Sequence, residues 1–115
     1  MATEEKLYVF LKKLKEATVS KRLLWTSTVD GFTFRVSLKA GSVTIENDRG
    51  YDEGGHLKYH NGMLRIYDRK GLLVEEYTPE FNDVSAVKEF EILFDVARRS
   101  ALNTASVLDD LIGEI

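Results

Sequence analysis

The spacing of apolar residues changes twice along this chain, and that change limits which folds it can adopt. Within residues 4–17 the apolar side chains recur at i, i+3, i+4 and i+7, which is typical of an amphipathic helix. These side chains are Leu7, Phe10, Leu11 and Leu14. Residues 22–77 instead alternate apolar and polar side chains, which is the period of a half-buried strand. Helical spacing returns after Pro79, so the sequence predicts a helix, an antiparallel sheet and a second helix.

Turn sequences that contain glycine divide residues 22–77 into about six predicted strands. The turns are Asp30-Gly31, Ala40-Gly41, Asn61-Gly62 and Asp68-Arg69-Lys70-Gly71. The strands are then roughly 22–29, 32–39, 42–48, 56–60, 63–68 and 72–77. Asp30-Gly31 predicts a type I′ turn, which needs positive φ at both residues, and it pairs Val29 with Phe32. The turn at 68–71 predicts type I geometry with a G1 bulge.

Pairing the strands about these turns gathers the apolar side chains on one face of the sheet. Trp25, Phe34, Val36 and Ile45 belong to that face. The predicted cross-strand pairs include Ser27–Phe34, Val36–Ile45, Arg35–Glu46 and Ile66–Val74. An antiparallel sheet with one apolar face needs cover, and only the two helices can supply it. The predicted fold class is α+β, a single domain over residues 1–115: an N-terminal helix, an antiparallel meander of about six strands and a long C-terminal helix, in two layers with both helices on one sheet face.

The C-terminal apolar stripe runs from Phe90 to Ile115 without a change of phase. Taken literally it is one helix of about 30 residues, roughly 45 Å long, whereas a domain of this size has a radius of gyration near ~13 Å. Two alternatives follow. The helix breaks near Asn103-Thr104 and folds back, or it overhangs the sheet and buries its end against another copy. The residues predicted for self-association are Thr104, Leu108, Leu111, Ile112 and Ile115.

Composition excludes several classes of protein. The net charge is −3, so the chain lacks the basic excess of a general nucleic-acid coat. It has no cysteine, which excludes disulfides, thiolate chemistry and cysteine-ligated zinc. Its N-terminus is acidic, without a signal-peptide apolar segment, and no apolar run approaches the ~20 residues of a membrane span. We therefore expect a small acidic cytoplasmic protein that does not enter a membrane.

The segment 49–56 is the strongest sequence candidate for a chemical site, because it gathers two carboxylates, a histidine and three glycines. Asp52 and Glu53 are adjacent, whereas calcium loops alternate their oxygen ligands, and the Gly-Lys-Ser/Thr end of a phosphate loop is missing. His56 and His60 on one strand lie about 13 Å apart, too far to share a metal ion. We expect a flexible crossover here, with no metal, cofactor or catalytic residue.

The polar face of the second half of the sheet offers a different site. Folding about Asn61-Gly62 places Lys58 opposite Arg65, and like charges at that distance are mildly destabilising. An anionic ligand or nucleic acid would relieve them, with Tyr67 as a stacking surface. Alternatively, Glu75 beside Arg65 neutralises the charge. The candidate binding residues are His56, Lys58, His60, Arg65 and Tyr67. No nucleic-acid motif supports this alternative, so nucleic acid is the less favoured partner.

The features together favour a non-catalytic protein-interaction module that self-associates through the C-terminal helix. Adaptors, chaperones and antidote-like proteins share this general character. Binding of an anionic ligand or nucleic acid by the outer sheet face is the alternative, and a small enzyme comes third because no nucleophile elbow or acid–base constellation is visible.

Overall fold

A computed structural model of the chain describes residues 3–80 and 82–115, of which 48–51 and 57–61 are described by their backbone alone. The helices are α1 (Thr3–Val19), α2 (Val84–Ala101) and α3 (Thr104–Glu114). The strands are β1 (Thr26–Ser27), β2 (Thr33–Leu38), β3 (Gly41–Tyr51), β4 (Leu57–Asp68) and β5 (Leu73–Tyr77). The strands form one antiparallel sheet in the order β1-β2-β3-β4-β5, so the α+β meander is confirmed.

The core lies between one face of this sheet and the helices α1 and α2. Phe34, Val36 and Ile45 are at most 2% exposed and pack with Leu14 of α1 and Phe90 of α2. Trp25, which precedes β1, belongs to the same cluster. The predicted apolar face and its cover by the first two helices are therefore confirmed.

Trp25 also donates hydrogen bonds to side chains of both α1 and α2. Its indole Nε1 donates to Thr18 Oγ1 at 2.9 Å, and its backbone N–H donates to Ser100 Oγ at 3.0 Å. The Thr18 hydroxyl in turn donates to the carbonyl oxygen of Leu14 at 2.8 Å. Because each of these polar groups has a partner, the indole can be buried without an orphaned donor.

The prediction of six strands is wrong by one, because Asn61-Gly62 is not a turn. Both residues lie inside β4, where Asn61 pairs with Asp48 and Gly62 with Asn47 of β3. A local turn preference is outweighed when the neighbouring strand supplies partners for the backbone along the whole segment. The hairpin turn lies earlier, at residues 52–56, in place of the expected flexible crossover.

The turns at 52–56 and 68–72 have the same hydrogen bonds. In the first, the Asp52 carboxylate accepts from the N–H groups of Gly54 and His56, and the N–H of Gly55 donates to the Asp52 carbonyl. In the second, Asp68 accepts in the same way from Lys70, Leu72 and Gly71. Gly55 and Gly71 have φ of 81° and 86°, which glycine adopts without strain. The predicted G1-bulge turn at 68–71 is confirmed, and the same turn recurs at residues 52–55.

The turn between β1 and β2 differs from the predicted type I′ geometry. Only Gly31 has positive φ, at 75°, and the Asp30 carboxylate accepts from the N–H groups of Phe32 and Thr33. These bonds, together with one from the Thr28 hydroxyl, lower the pKa of Asp30 to about 2. Val29 and Phe32, which were expected to pair, are both exposed beside this turn.

The observed strand pairing keeps most side chains on the predicted face of the sheet, although several predicted cross-strand pairs are shifted along the strands. Ser27 pairs with Phe34 as expected, but Val36 pairs with Val43, two residues from the predicted Ile45. A shift of two keeps every side chain on its face. Arg35 likewise pairs with Thr44 instead of Glu46. Ile66 pairs with Glu75 instead of Val74, next to a bulge, and this shift of one residue leaves Val74 exposed.

The single long C-terminal helix is wrong, because the chain breaks near Asn103, as one of the two alternatives from the sequence has it. Helix α2 ends at Ala101, and Asn103 has the left-handed φ of 53°. Helix α3 then begins at Thr104, but it does not fold back over the core, since none of its residues is buried. The radius of gyration is 15.4 Å, larger than the ~13 Å of an average domain of this length.

Candidate interaction surface

Helix α3 carries an apolar stripe that nothing in the described chain covers. Val107, Leu108 and Leu111 are about 50% exposed, Ile112 is 69% exposed and Ile115 is fully exposed. We call these five residues the α3 stripe. They lie on one side of the helix because their spacing follows the 3.6-residue turn. Contiguous exposed apolar patches are typical of sites that contact proteins, membranes or ligands, so the α3 stripe is a candidate interaction surface.

The residues predicted for self-association are on α3 or, for Ile115, at its C-cap, but the structure adds one member and sets another apart. Leu108, Leu111, Ile112 and Ile115 belong to the α3 stripe, whereas Thr104 is half-buried at the start of the helix. Val107 was missed, although its position four residues before Leu111 would have placed it on the same face. Their role in self-association remains a prediction.

The charges of α3 are all negative. Asp109, Asp110 and Glu114 lie on this helix, and residues 104–115 contain no lysine or arginine. Asp110 and Glu114 are four residues apart, and at 100° per residue both lie along the edge of the α3 stripe next to Val107. Asp109 lies beyond the opposite edge. The stripe is therefore bordered by an acidic row on one side.

A groove with an open volume of about 400 Å³ lies between α1, the first half of α2 and the end of β5. Leu11, Phe90 and Leu93 give it an apolar lining, and Tyr8, Lys12 and Lys15 of α1 form one wall. We call it the α1–α2 groove. The Lys15 ammonium makes an ion pair with Glu89 of α2 at 3.3 Å. No residue of α3 lines this groove. The sequence did not indicate it, because the groove depends on how the two helices lie against each other.

Tyr77 forms the end of the α1–α2 groove at β5. Its ring lies 6.4 Å from the ring of Phe90, and burial raises the pKa of its hydroxyl above the ordinary value. The groove therefore combines an aromatic, apolar interior with cationic and hydroxyl groups on the α1 wall, which suits an amphipathic partner.

On the outer sheet face, Arg65 is engaged by two carboxylates. Its Nη1 lies 2.5 Å from Glu46 Oε1, and its Nε lies 3.6 Å from Glu76 Oε1. The hydrogen bond with Glu46 raises the pKa of the guanidinium. Sequence reasoning assigned this neutralising role to Glu75, but Glu75 pairs with Ile66 and it is Glu76 that lies opposite Arg65.

The candidate anion-binding residues do not form the expected cross-strand arrangement. Lys58 and Arg65 lie seven residues apart on the same strand β4, roughly 23 Å, and so do not oppose each other. The His56 side chain is exposed, with Nδ1 3.4 Å from Asp52 Oδ1. Tyr67 is half-buried next to the β4 bulge. The side chains of Lys58 and His60 lie outside the described part, and the binding role of this set remains a prediction.

Among the residues that the structure describes, no group of three or more histidine, aspartate or glutamate side chains is placed to hold a metal ion. In the same part of the chain, no helix combines the length and apolarity needed to cross a membrane.

Comparisons with models of protein families, with curated proteins and with solved structures gave no match to this chain.

Proposed function

We propose that this protein is a non-catalytic protein-interaction module that self-associates through the α3 stripe. One observation carries the proposal: α3 presents its apolar side to solvent, and no residue of the helix is buried. Full burial of each Val, Leu or Ile side chain contributes about 1.5–3 kcal/mol. Several such side chains can together offset the loss of freedom on association, about 4–15 kcal/mol.

The charge of α3 favours a protein partner over a lipid surface. Amphipathic helices that lie on membranes carry Lys and Arg on their polar face, and anionic lipids attract those side chains. Helix α3 has Asp109, Asp110 and Glu114 instead, with no basic residue. An anionic bilayer would repel it.

The outer sheet face supports the alternative of anion binding less well. The carboxylates of Glu46 and Glu76 already offset the charge of Arg65, so an incoming anion would have to compete with both. The pairing of β4 with β3 also removes the unrelieved repulsion between Lys58 and Arg65 on which that alternative was based.

The direct test is the mass of the protein in solution as a function of its concentration. Sedimentation velocity should show wild-type protein passing from monomer to dimer as concentration rises. A variant lacking residues 104–115 should stay monomeric and folded, because no α3 residue belongs to the core.

A matched pair of point variants separates the α3 stripe from exposed leucines in general. Leu111→Asp should abolish dimer formation, whereas Leu72→Asp, at a residue that is 62% exposed in the turn before β5, should leave it unchanged. A wild-type protein that is monomeric throughout, or a truncated protein that still forms dimers, would overturn the proposal.

A further inference from the structure

We propose that the α3 stripe of one copy docks in the α1–α2 groove of a second copy, and that the exchange is reciprocal. This inference rests on the proposed self-association and names the surface that receives α3. A helix lying in a groove between two other helices is a recurrent mode of recognition, with anchors at i, i+3, i+4 and i+7. Leu108, Leu111, Ile112 and Ile115 have that spacing.

The apolar parts of the two surfaces match. The groove, with a volume of about 400 Å³, is lined by Leu11, Phe90 and Leu93 and also by Tyr8, which is 71% exposed. The chain's own α3 does not occupy it. A second copy therefore brings an uncovered apolar stripe to an uncovered apolar groove.

The charged parts also match. Lys12 and Lys15 lie three residues apart along the α1 wall of the groove, and Lys12 has no ion pair with any described residue. The acidic row of Asp110 and Glu114 has a similar spacing, about 6 Å along the helix. Lying in the groove with this row toward α1, α3 would place carboxylates beside the unpaired ammonium of Lys12 and next to Lys15, which keeps its ion pair with Glu89. Asp83 and Glu89 are on the opposite wall, on α2 and its cap, so the orientation of α3 is also specified.

Direct packing of one α3 stripe against another is the main competing arrangement, and two physical arguments disfavour it. It would bring three carboxylates from each copy to one contact without any basic residue from α3, and such like-charge juxtaposition is costly. It would also involve only one face of an 11-residue helix, about 16 Å long, from each copy.

Stable interfaces bury roughly 800 Å² per partner. In a reciprocal exchange each copy contributes both a helix and a groove, and the two equivalent contacts close into a twofold dimer. The arrangement therefore buries twice the area of a single helix-in-groove contact without requiring a larger helix.

The experiment is a charge exchange between Lys12 and Asp110, read as the dimer dissociation constant Kd by sedimentation. Lys12→Glu and Asp110→Lys should each weaken the dimer roughly tenfold or more, because each creates a like-charge contact at both equivalent sites. The double variant K12E/D110K should return Kd to near the wild-type value. Each altered side chain is exposed, so circular dichroism should show an unchanged fold.

A matched control carries the same charge change outside the predicted contact: Lys13→Glu lies next to Lys12 but does not line the groove, and it should leave Kd within about twofold of wild type. Asp109→Lys lies on the other side of the α3 stripe, toward Asp83 and Glu89, and should not weaken the dimer. Tyr8→Ser is a further test variant and not a control: it should weaken the dimer, because packing at the rim of the groove is lost.

The outcomes separate the two proposals. If the dimer is lost on removal of residues 104–115 but K12E and Y8S behave like K13E, the groove is not the receiving surface and this inference is overturned while self-association through α3 stands. Failure of the double variant to recover also overturns the inferred pairing. A wild-type protein that never dimerises overturns both.

Discussion

Helices α2 and α3 have the same kind of apolar stripe but different surroundings. In α2 the stripe residues Val87, Phe90, Leu93 and Ala97 are all buried, and the last three pack in the core with the sheet. In α3 the corresponding side is exposed from end to end. Helical periodicity therefore identifies a face that needs cover, whereas it does not identify what covers the face.

The starts of the two helices also differ, because α2 has a side-chain cap and α3 does not. The carboxylate of Asp83 accepts a hydrogen bond from the N–H of Ala86 and so caps α2. At the start of α3, the side chain of Asn103 makes no such bond, and its left-handed backbone turns the chain instead. Helix α2 is therefore fixed by packing and by its cap, whereas α3 contacts the rest of the described chain chiefly at α2.

The largest expected effect on the free energy of unfolding comes from replacing one leucine on α2, and the same change on α3 should have almost none. Leu93→Ala, at a 4% exposed position, should lower the free energy of unfolding by about 2–5 kcal/mol, because it leaves a cavity. Leu111→Ala should change it by no more than about 0.5 kcal/mol in dilute, monomeric protein. Urea titration of both variants provides the measurement. Equal losses at the two sites would mean that α3 is part of the folded core after all.

The next largest loss of stability is expected at Thr18, on the α1 side of the core. Thr18→Val removes the acceptor of the buried indole N–H of Trp25 and should cost about 1–3 kcal/mol. Thr18→Ser keeps the hydroxyl and serves as the control, with a smaller loss. Urea unfolding followed by tryptophan fluorescence measures both, since Trp25 is the only tryptophan. If the valine variant is as stable as the serine variant, the hydrogen bond does not contribute to the stability of the core.

A smaller effect follows from the cap of α2. Asp83→Ala should destabilise the protein by about 1 kcal/mol, because the N–H of Ala86 loses its acceptor. Asp83→Ser retains an acceptor and should recover most of that loss. Thermal unfolding of dilute protein is the appropriate measurement, and an alanine variant equal to the serine variant would contradict the capping role.

The last prediction, at Asn103, tests the break itself and is read as a change of shape. Alanine is about 1–2 kcal/mol less stable in the left-handed region and favours a helix, so Asn103→Ala should shift the chain toward one continuous helix. X-ray scattering of dilute protein should then give a larger radius of gyration than the wild-type protein measured in the same way, with more helix by circular dichroism. Asn103→Gly, which adopts positive φ freely, should leave both unchanged. An unchanged alanine variant would show that the contacts of α3 with α2, and not Asn103, set the break.

Turn sequences show where local reasoning succeeds and where it fails. An aspartate followed three residues later by glycine predicts the turn at Asp68, and the same pattern is present at Asp52. The second instance was missed because Asn61-Gly62 offers a competing turn signal nearby. Only the continuous ladder between β3 and β4 decides between them, and a ladder depends on residues far apart in the sequence.

The candidate interaction surface is likewise only partly predictable from the sequence. Helical periodicity predicts four members of the α3 stripe, all but Val107, and the weak helix formers offer the break near Asn103 as one of two alternatives. The sequence does not predict the α1–α2 groove, whose lining comes from Tyr8 to Leu93, nor the ion pairs of Arg65 with Glu46 and Glu76. Contacts between distant segments require the registers and helix positions to be known first.

By itself, the sequence determined the α+β class, the faces of the strands and the amphipathic character of the helices, because these depend on spacing and on local turn chemistry. The tertiary structure decided which stripes are covered, which turn ends β3 and which carboxylates lie beside Arg65. The physical reason is that burial and pairing are properties of surfaces brought together by the whole chain, so two segments with the same local pattern can end in a core or in solvent.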